Sequence, residues 1–163
     1  MNEIIYRPIG VIHSPFKGIE GTPIQPTGAK GVKGTIEMDP AYAVGLEDLE
    51  GFSHLIVLYH FHLSKGFTLR VLPFLDTHYR GVFATRAPNR PNPIGLSVVK
   101  LVRIKGPVLT IENVDLVDGT PLLDIKPYVP EFNAAKAVKI GWLSKKIKKT
   151  DRIKADGRFK KQE

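Results

Sequence analysis

The sequence predicts a β-dominated protein whose strands are mainly antiparallel and form a barrel or a sandwich. Its 163 residues include 15 glycines and 13 prolines, and these turn-forming residues fall between short apolar runs. Eight such runs follow one another with little helical periodicity between them. Parallel strands would need long, usually helical connections, so the pattern favours strands linked by turns.

The eight candidate strands are short apolar runs bounded by glycine, proline or polar residues. They cover residues 7–12, 34–38, 55–61, 68–73, 81–85, 96–104, 108–112 and 122–125. The run LIVLYHF at 55–61 is apolar without clear alternation, which is typical of a strand covered on both faces. The run at 96–104 has apolar side chains at both parities, so we expect it to be covered on both faces too.

Two short helices are expected beside the strands. One covers residues 40–49, with Asp39 as its N-cap and Pro40 at the first helical position. The other lies between residues 134 and 149, where Val138, Trp142 and Leu143 recur at helical spacing.

Composition excludes several classes of protein. The chain has no cysteine, which excludes disulfide bonds, thiol catalysis, cysteine-ligated zinc and iron–sulfur clusters. The N-terminus has early charge and no apolar segment of signal-peptide length. No apolar run approaches the ~20 residues that a membrane-spanning helix needs. We therefore expect a cytoplasmic protein with no membrane association, of a length that suits one domain.

The net charge of +8 comes entirely from the C-terminus. Residues 1–133 carry 13 basic and 13 acidic side chains, whereas residues 134–163 carry 11 basic and 3 acidic ones. We therefore divide the chain into a neutral β domain at 1–133 and a basic C-terminal extension at 134–163. The extension either attracts the phosphates of a nucleic acid or is a solvated tail that aids solubility.

The sequence gives little support for a common nucleotide-binding motif or for a metal site. The usual glycine-rich signatures of dinucleotide and nucleoside triphosphate sites are absent, and the glycine-rich run at 28–34 matches neither spacing. His60 and His62 alternate along one predicted strand and would share a face, which could begin a zinc or iron site. A third ligand with comparable support is missing, so we predict no metal.

The segment RAPNRPNPIG at residues 86–95 stands between two predicted strands and contains three prolines. Proline fixes φ and removes a backbone donor, so this connection is stiff. Arg86 and Arg90 offer planar guanidinium groups that suit a carboxylate or a phosphate. The segment is either a preorganised binding loop or a rigid corner in which the arginines cap backbone carbonyls.

A second dense segment, VDLVDGTPLLDIKPY at residues 114–128, places three aspartates beside apolar strands. Aspartate next to glycine is most often only a turn former. An unpaired carboxylate against an apolar strand is costly, however. We therefore expect Asp115, Asp118 and Asp124 to have basic partners or to contact a bound ligand.

These two segments resemble the TrmO family, also described as TsaA-like, YaeB or VirR proteins. The stretches ATRAPNRPNPIGLSVVKL and VDLVDGTPLLDIKPY carry the resemblance, and IGVIHSPF, Gln25-Pro26 and FSHLIVLYHFH agree in order and spacing. The likeness covers about residues 5–130. It implies a single-sheeted β-barrel and a homodimer. The implied activity is an S-adenosyl-L-methionine-dependent tRNA methyltransferase that acts on the exocyclic nitrogen of threonylcarbamoyladenosine, 3′ of the anticodon.

The resemblance also implies a set of cofactor-binding residues at matching positions. They are Pro26, Thr27, Gly28, Phe61, His62, Arg86, Leu96, Asp115, Leu116, Val117 and Asp118. We expect Phe61 and Leu96 to cover the adenine and Arg86 to meet the methionine carboxylate. Ala87 stands where many members have serine, and longer members continue into a further C-terminal domain.

Asp118 and Tyr128 are the residues that we expect to orient the acceptor nitrogen or to take its proton. All the expected cofactor residues precede residue 134. Truncation of the basic extension should therefore weaken tRNA binding and leave cofactor affinity nearly unchanged. Two alternatives stay open: a non-catalytic RNA- or nucleotide-binding β-barrel module, and a histidine-metal hydrolase.

Overall fold

A closed six-stranded antiparallel barrel is the main element of the computed structural model, which describes residues 2–132, 137–144 and 146–159. Going round the barrel, the strand order is β1-β2-β7-β6-β3-β8, and β8 pairs back with β1. The strands in chain order are β1 Gly10–His13, β2 Lys33–Met38, β3 His54–His60, β4 Arg70–Val71, β5 Arg80–Gly81, β6 Ile94–Lys105, β7 Val108–Glu112 and β8 Thr120–Pro127. The single-sheeted barrel is thus confirmed.

Two predicted strands are much shorter than expected. Residues 68–73 and 81–85 contribute only β4 and β5, which form a separate two-stranded sheet. Pro73 has no N–H to continue the ladder, and Val82–Ala84 turns into a 3₁₀ helix. This small sheet lies in the long connection between β3 and β6 and presents the loops that surround the candidate site.

The barrel interior is filled by one face of each strand. Leu55, Val57 and Tyr59 of β3 are buried, whereas the alternate residues of that strand are half-buried. The expectation of cover on both faces was wrong for β6, where Leu96 and Val102 are 44% and 47% exposed. Apolar side chains on both faces of β6 therefore do not indicate a second core. The outer face of this strand borders a cleft and solvent.

Both expected helices differ from their prediction. Asp39 does cap the first one, its carboxylate accepting from the backbone N–H of Ala41 at 2.9 Å, but the element is a 3₁₀ helix over Pro40–Leu46. In place of the second, the described residues show single 3₁₀ turns at Gly141–Leu143 and Ile147–Lys149. Residues 134–136 and 145 of that expected helix lie outside the described residues.

The C-terminal extension packs on the protein instead of leaving it. Phe159 is 6% exposed and packs in a second apolar cluster with Val71, Val82 and Ala87. Its ring meets Phe74 edge-to-face, with the ring centroids 5.0 Å apart. In the part of the chain that the structure describes, no helix is long and apolar enough to cross a membrane.

A buried carboxylate also holds the extension. The side chain of Asp76 has no exposed surface and pairs with Lys146 at 2.6 Å and Arg80 at 2.8 Å. These cations, Lys146 first, hold the pKa of Asp76 well below its usual range against the opposing effect of burial. The extension is therefore attached by an apolar side chain and by an ionic cluster to the β4–β5 region.

Candidate active site

A cleft of about 1440 Å³ lies where the ends of β3 and β6 meet three loops and the C-terminal extension. The loops contribute residues around positions 23–27, 83–92 and 113–117. The barrel supplies a rigid wall because β3 and β6 pair along their whole contact, from His54 opposite Lys100 to His60 opposite Ile94. Catalytic and binding residues commonly sit on loops held by such a scaffold.

The two arginines of the proline-rich segment have different roles. Arg90 donates to the backbone carbonyls of Thr85 and Ala87, at 3.3 and 3.4 Å, and so braces the corner. Arg86 lines the cleft, and its one side-chain hydrogen bond to a described residue goes to the Gln25 amide oxygen at 3.2 Å. The rigid-corner interpretation therefore holds for Arg90, whereas Arg86 lines the cleft and its binding role stays a prediction.

A chain of hydrogen bonds connects the barrel interior to the cleft. The Ser97 hydroxyl donates to the Asp115 carboxylate at 2.8 Å and lies 3.2 Å from the Tyr59 hydroxyl. Ser97 and Tyr59 are only 1% and 4% exposed. The chain depends on Gly95, because a Cβ at that position would come within 2.2 Å of the Tyr59 ring.

Burial controls the protonation of these groups. It raises the pKa of Asp115 to about 6, against the opposing effects of the Ser97 hydrogen bond and the Arg86 charge. Burial, followed by the Asp115 charge, also raises the pKa of Tyr59 well above its ordinary value. At the cleft edge, burial and then the neighbouring His60 lower the pKa of His62. Near pH 6, the Asp115 side chain is thus divided between its neutral acid and its carboxylate form.

The structure brings most of the expected cofactor residues together in this cleft. Those that line it are Pro26, Thr27, Phe61, His62, Arg86, Leu96, Asp115, Leu116 and Val117. Gly28 is adjacent: a Cβ there would lie 3.1 Å from the backbone oxygen of Asp151, so this loop runs directly against the C-terminal extension.

Asp118 lies outside the cleft. It borders a separate shallow depression, where its carboxylate pairs with Lys17 at 2.7 Å and accepts from the Ser14 backbone N–H at 3.1 Å. These bonds, with a further contact to His13, lower its pKa to about 2. Val117 pairs with Phe16, and the Asp118 backbone N–H donates to the Phe16 carbonyl at 2.7 Å, so Asp118 is held beside the segment that follows β1 and away from Asp115.

Tyr128 is also absent from the residues that line the cleft. It follows the end of β8, where its backbone N–H donates to the carbonyl of His54 at 3.0 Å. This end of β8 pairs with the start of β3 at Leu55, whereas the cleft lies at the opposite end of β3. The cleft of a single chain therefore contains neither residue expected to handle the proton.

Sequence reasoning missed the contribution of the C-terminal extension to the cleft. Eight of its described residues line it: Trp142, Leu143, Ile147, Lys148, Thr150, Asp151, Ala155 and Phe159. The Trp142 indole N–H donates to the carbonyl of Ala84 at 2.8 Å. Part of the extension thus lines the same cleft as most of the expected cofactor residues. No local pattern marks this packing, because its partners are distant in sequence.

The histidines do not share a strand face. β3 ends at His60, and the backbone N–H of His62 donates back to the carbonyl of His60 at 2.8 Å in a tight turn. Over residues 2–132, 137–144 and 146–159, no group of three or more metal-ligating side chains occurs. The described residues thus give no geometric support to the metal hydrolase.

Comparison with known proteins agrees with this geometry. The sequence profile of the tRNA-methyltransferase O N-terminal domain matches residues 11–134. This chain belongs to the tRNA-methyltransferase O family. The match covers the barrel, both dense segments and the loops that form the cleft, so the resemblance noted in the sequence is confirmed.

The chain is also similar to individual proteins and to a solved structure. The chain is 56% identical to a probable S-adenosyl-L-methionine-binding protein of Pyrococcus abyssi, covering 96% of this chain and 85% of that one. It is 34% identical to the human tRNA (adenine(37)-N6)-methyltransferase, over 83% of this chain and 32% of that protein. A crystal structure of TrmO from Pseudomonas aeruginosa superposes with a TM-score of 0.74 at 41% identity, covering 86% of this chain and 62% of that chain.

Proposed function

We propose that this protein is an S-adenosyl-L-methionine-dependent tRNA methyltransferase that modifies the exocyclic nitrogen of threonylcarbamoyladenosine, 3′ of the anticodon. The observation that carries the proposal is a single cleft in which Arg86, Phe61 and a half-buried Asp115 occur together. Family membership and the names of the Pyrococcus and human relatives support the cofactor and the substrate class. The modified nucleoside itself rests on the resemblance of the two dense segments.

The residues of the cleft fit the cofactor. Arg86 makes no ion pair with any described residue and so can receive the amino acid carboxylate. Phe61 and Leu96 offer apolar surface for the adenine. Asp115, oriented by Ser97, can accept hydrogen bonds from an amino group or from ribose hydroxyls. S-adenosyl-L-methionine, when bound, supplies an electrophilic methyl group on a positively charged sulfur.

The acceptor nitrogen must lose its proton as its bond to the methyl carbon forms and the bond from that carbon to sulfur breaks, so a proton acceptor near the cleft would assist the reaction. The described carboxylates that line the cleft are Asp115 and Asp151. Asp115 has a pKa of about 6, close enough to neutrality to hold or release a proton. We assign this role to Asp115 ahead of Asp118 and Tyr128, which lie outside the cleft of their own chain.

We further propose that the protein acts as a homodimer. Asp118 belongs to the cofactor set that the resemblance implies, yet it borders a different depression from the cleft. A partner subunit that presents its cleft to this face would bring Asp118 to a cofactor. Light scattering coupled to size-exclusion chromatography measures the subunit number directly.

The decisive experiment incubates the protein with S-adenosyl-L-methionine and threonylcarbamoylated tRNA, followed by mass spectrometry of the nucleosides. We expect the N-methylated nucleoside to appear. Cofactor and tRNA binding without any methylated product would favour the non-catalytic RNA-binding module. tRNA that lacks the threonylcarbamoyl group tests the choice of nucleoside.

Substitution of Arg86 tests the cofactor assignment. Arg86→Ala should weaken S-adenosyl-L-methionine binding by roughly ten-fold or more, because a charge-assisted hydrogen bond typically contributes about 1.5–3 kcal/mol. Isothermal titration calorimetry measures the affinity. Arg103→Ala, on the exposed part of β6 away from the cleft, is the matched control. An unchanged affinity in a folded Arg86→Ala protein would contradict the carboxylate role.

A further inference from the structure

Two aromatic side chains outside the expected cofactor set line the cleft, and a hydrogen bond from Trp142 to Ala84, the neighbour of Phe83, brings their backbones together. Phe83, on the 3₁₀ helix Val82–Ala84, is 76% exposed. Trp142, on the 3₁₀ turn Gly141–Leu143 of the C-terminal extension, lines the same cleft. The β4–β5 region and the extension therefore each contribute one ring to a shared surface.

Both rings are carried by backbone that is fixed in place. Val82 is 1% exposed and anchors the turn that presents Phe83. Trp142 is held by its hydrogen bond to the Ala84 carbonyl, and the Arg80 guanidinium lies 5.6 Å from its ring centroid. Arg80 is itself paired with the buried Asp76. The Trp142 ring, held in this way, loses little conformational freedom when it binds a ligand.

Unpaired positive charge lies on the 3₁₀ turn that follows the turn of Trp142 in the extension. Lys148 lines the cleft, and Lys149 follows it in the same 3₁₀ turn. Neither lysine makes an ion pair with a residue that the structure describes, in contrast to Lys146, which pairs with Asp76. Lys148 is therefore available to an anion in the cleft, and Lys149 is available to an anion close to it along the chain.

An exposed Phe83 ring and a half-buried Trp142 ring, with unpaired lysines on the following turn, match the chemistry of a nucleotide. A base has a flat π face that stacks on an aromatic ring, and its backbone carries a phosphate that attracts lysine. Proteins commonly read RNA loops by stacking their unpaired bases in this way, whereas paired bases are not accessible. An apolar peptide would use the rings but leave the lysines without a partner.

We propose that Phe83 and Trp142 form a stacking platform for an unpaired base of the RNA substrate, with Lys148 and Lys149 on its phosphates. This inference rests on the proposed function, because it assigns the RNA substrate to side chains of the same cleft that holds the expected cofactor residues. The C-terminal extension then acts in recognition through a ring as well as through its charge.

Trp142 is the sole tryptophan of the chain, so its fluorescence reports on the platform without labelling. The probe is a synthetic anticodon stem-loop RNA that carries threonylcarbamoyladenosine, and the comparison is a blunt RNA duplex of similar length. The stem-loop should quench the emission saturably, and the duplex should not. Stem-loop binding, detected by anisotropy of a labelled RNA, without any change in Trp142 emission would overturn the proposal.

Phe83→Leu keeps the apolar volume and removes the π face. Its Kd for the stem-loop and its KM for tRNA should rise roughly ten-fold, because stacking on an aromatic ring contributes this much per base. Its affinity for S-adenosyl-L-methionine should not change. Phe132→Leu, at a ring that is 83% exposed and outside the cleft, is the matched control.

The other outcomes separate the two proposals. If Phe83→Leu methylates tRNA with unchanged kcat and KM, the platform is rejected and the proposed function stands. If the substitution changes the subunit number instead of RNA affinity, the rings form a protein interface and the platform is rejected. If the unaltered protein neither binds nor methylates the RNA, both proposals fail.

Discussion

The barrel and the C-terminal extension are held by different forces. In the barrel, residues such as Ile12, Leu55 and Leu122 have no exposed surface and the sheet has no free edge. The extension contributes Phe159 to a small second cluster and otherwise depends on polar contacts such as Lys146 with Asp76. Apolar burial is non-directional and cooperative, whereas each polar contact must be made at one place. The cleft lies between the two regions and needs both.

The largest effect is expected inside the barrel. Leu122→Ala should lower the free energy of unfolding by about 2–5 kcal/mol, because it removes a buried side chain and leaves a cavity. Denaturant unfolding measures this change, and the whole barrel should unfold in one transition. Val102→Ala, at an outward position that is 47% exposed, should change stability by less than about 1 kcal/mol. Equal losses in the two variants would contradict this assignment of the core.

A smaller and local effect is expected in the extension. Phe159→Ala should weaken its docking by about 1–3 kcal/mol, seen as faster proteolysis and amide exchange near the C-terminus. The barrel should keep its unfolding midpoint. Affinity for S-adenosyl-L-methionine should fall several-fold, because the extension lines the cleft. Ile140→Ala, in the same extension but outside the cleft, is the control. Unchanged cofactor affinity after undocking would restore the view that the two regions act separately.

The smallest effect concerns the pH dependence of Asp115. Folding raises its pKa to about 6, so the neutral acid is favoured in the folded protein. That stabilisation is complete below about pH 4 and is lost as the pH rises through about 6. From pH 4 to 7, the unaltered protein should lose about 1–2 kcal/mol relative to Asp115→Asn, after allowance for partial solvent exposure. If the free energy of unfolding changed with pH in the same way for both proteins, Asp115 would not titrate in this range.

How far the sequence predicts the structure depends on how local the determining contacts are. β2, β3, β7 and β8 were expected within a few residues of their observed bounds, because apolar pattern and turn residues are local signals. The predicted lengths of β4 and β5 are too great, because an apolar run does not reveal whether a neighbouring strand is available for pairing.

The candidate site shows the same limit. The proline-rich and aspartate-rich segments pointed to the cleft because their composition is unusual over a short stretch. The pairing of Lys146 with Asp76 and the bond from Trp142 to Ala84 join residues 70 and 58 positions apart. No local pattern indicates such contacts. The separation of Asp115 from Asp118 also depends on a distant contact, the pairing of Val117 and Asp118 with Phe16.

The contact between Gly95 and Tyr59 has a consequence for how this barrel can change during evolution. The Tyr59 ring fills the volume that any side chain at position 95 would need. A single added methyl group would push the ring away from Ser97, and Ser97 orients Asp115. The two positions therefore cannot drift independently: a smaller residue has to replace Tyr59 before position 95 can accept one larger than glycine. The absence of a side chain at position 95 thus keeps Tyr59 beside Ser97, and so affects the pKa of Asp115 in the cleft.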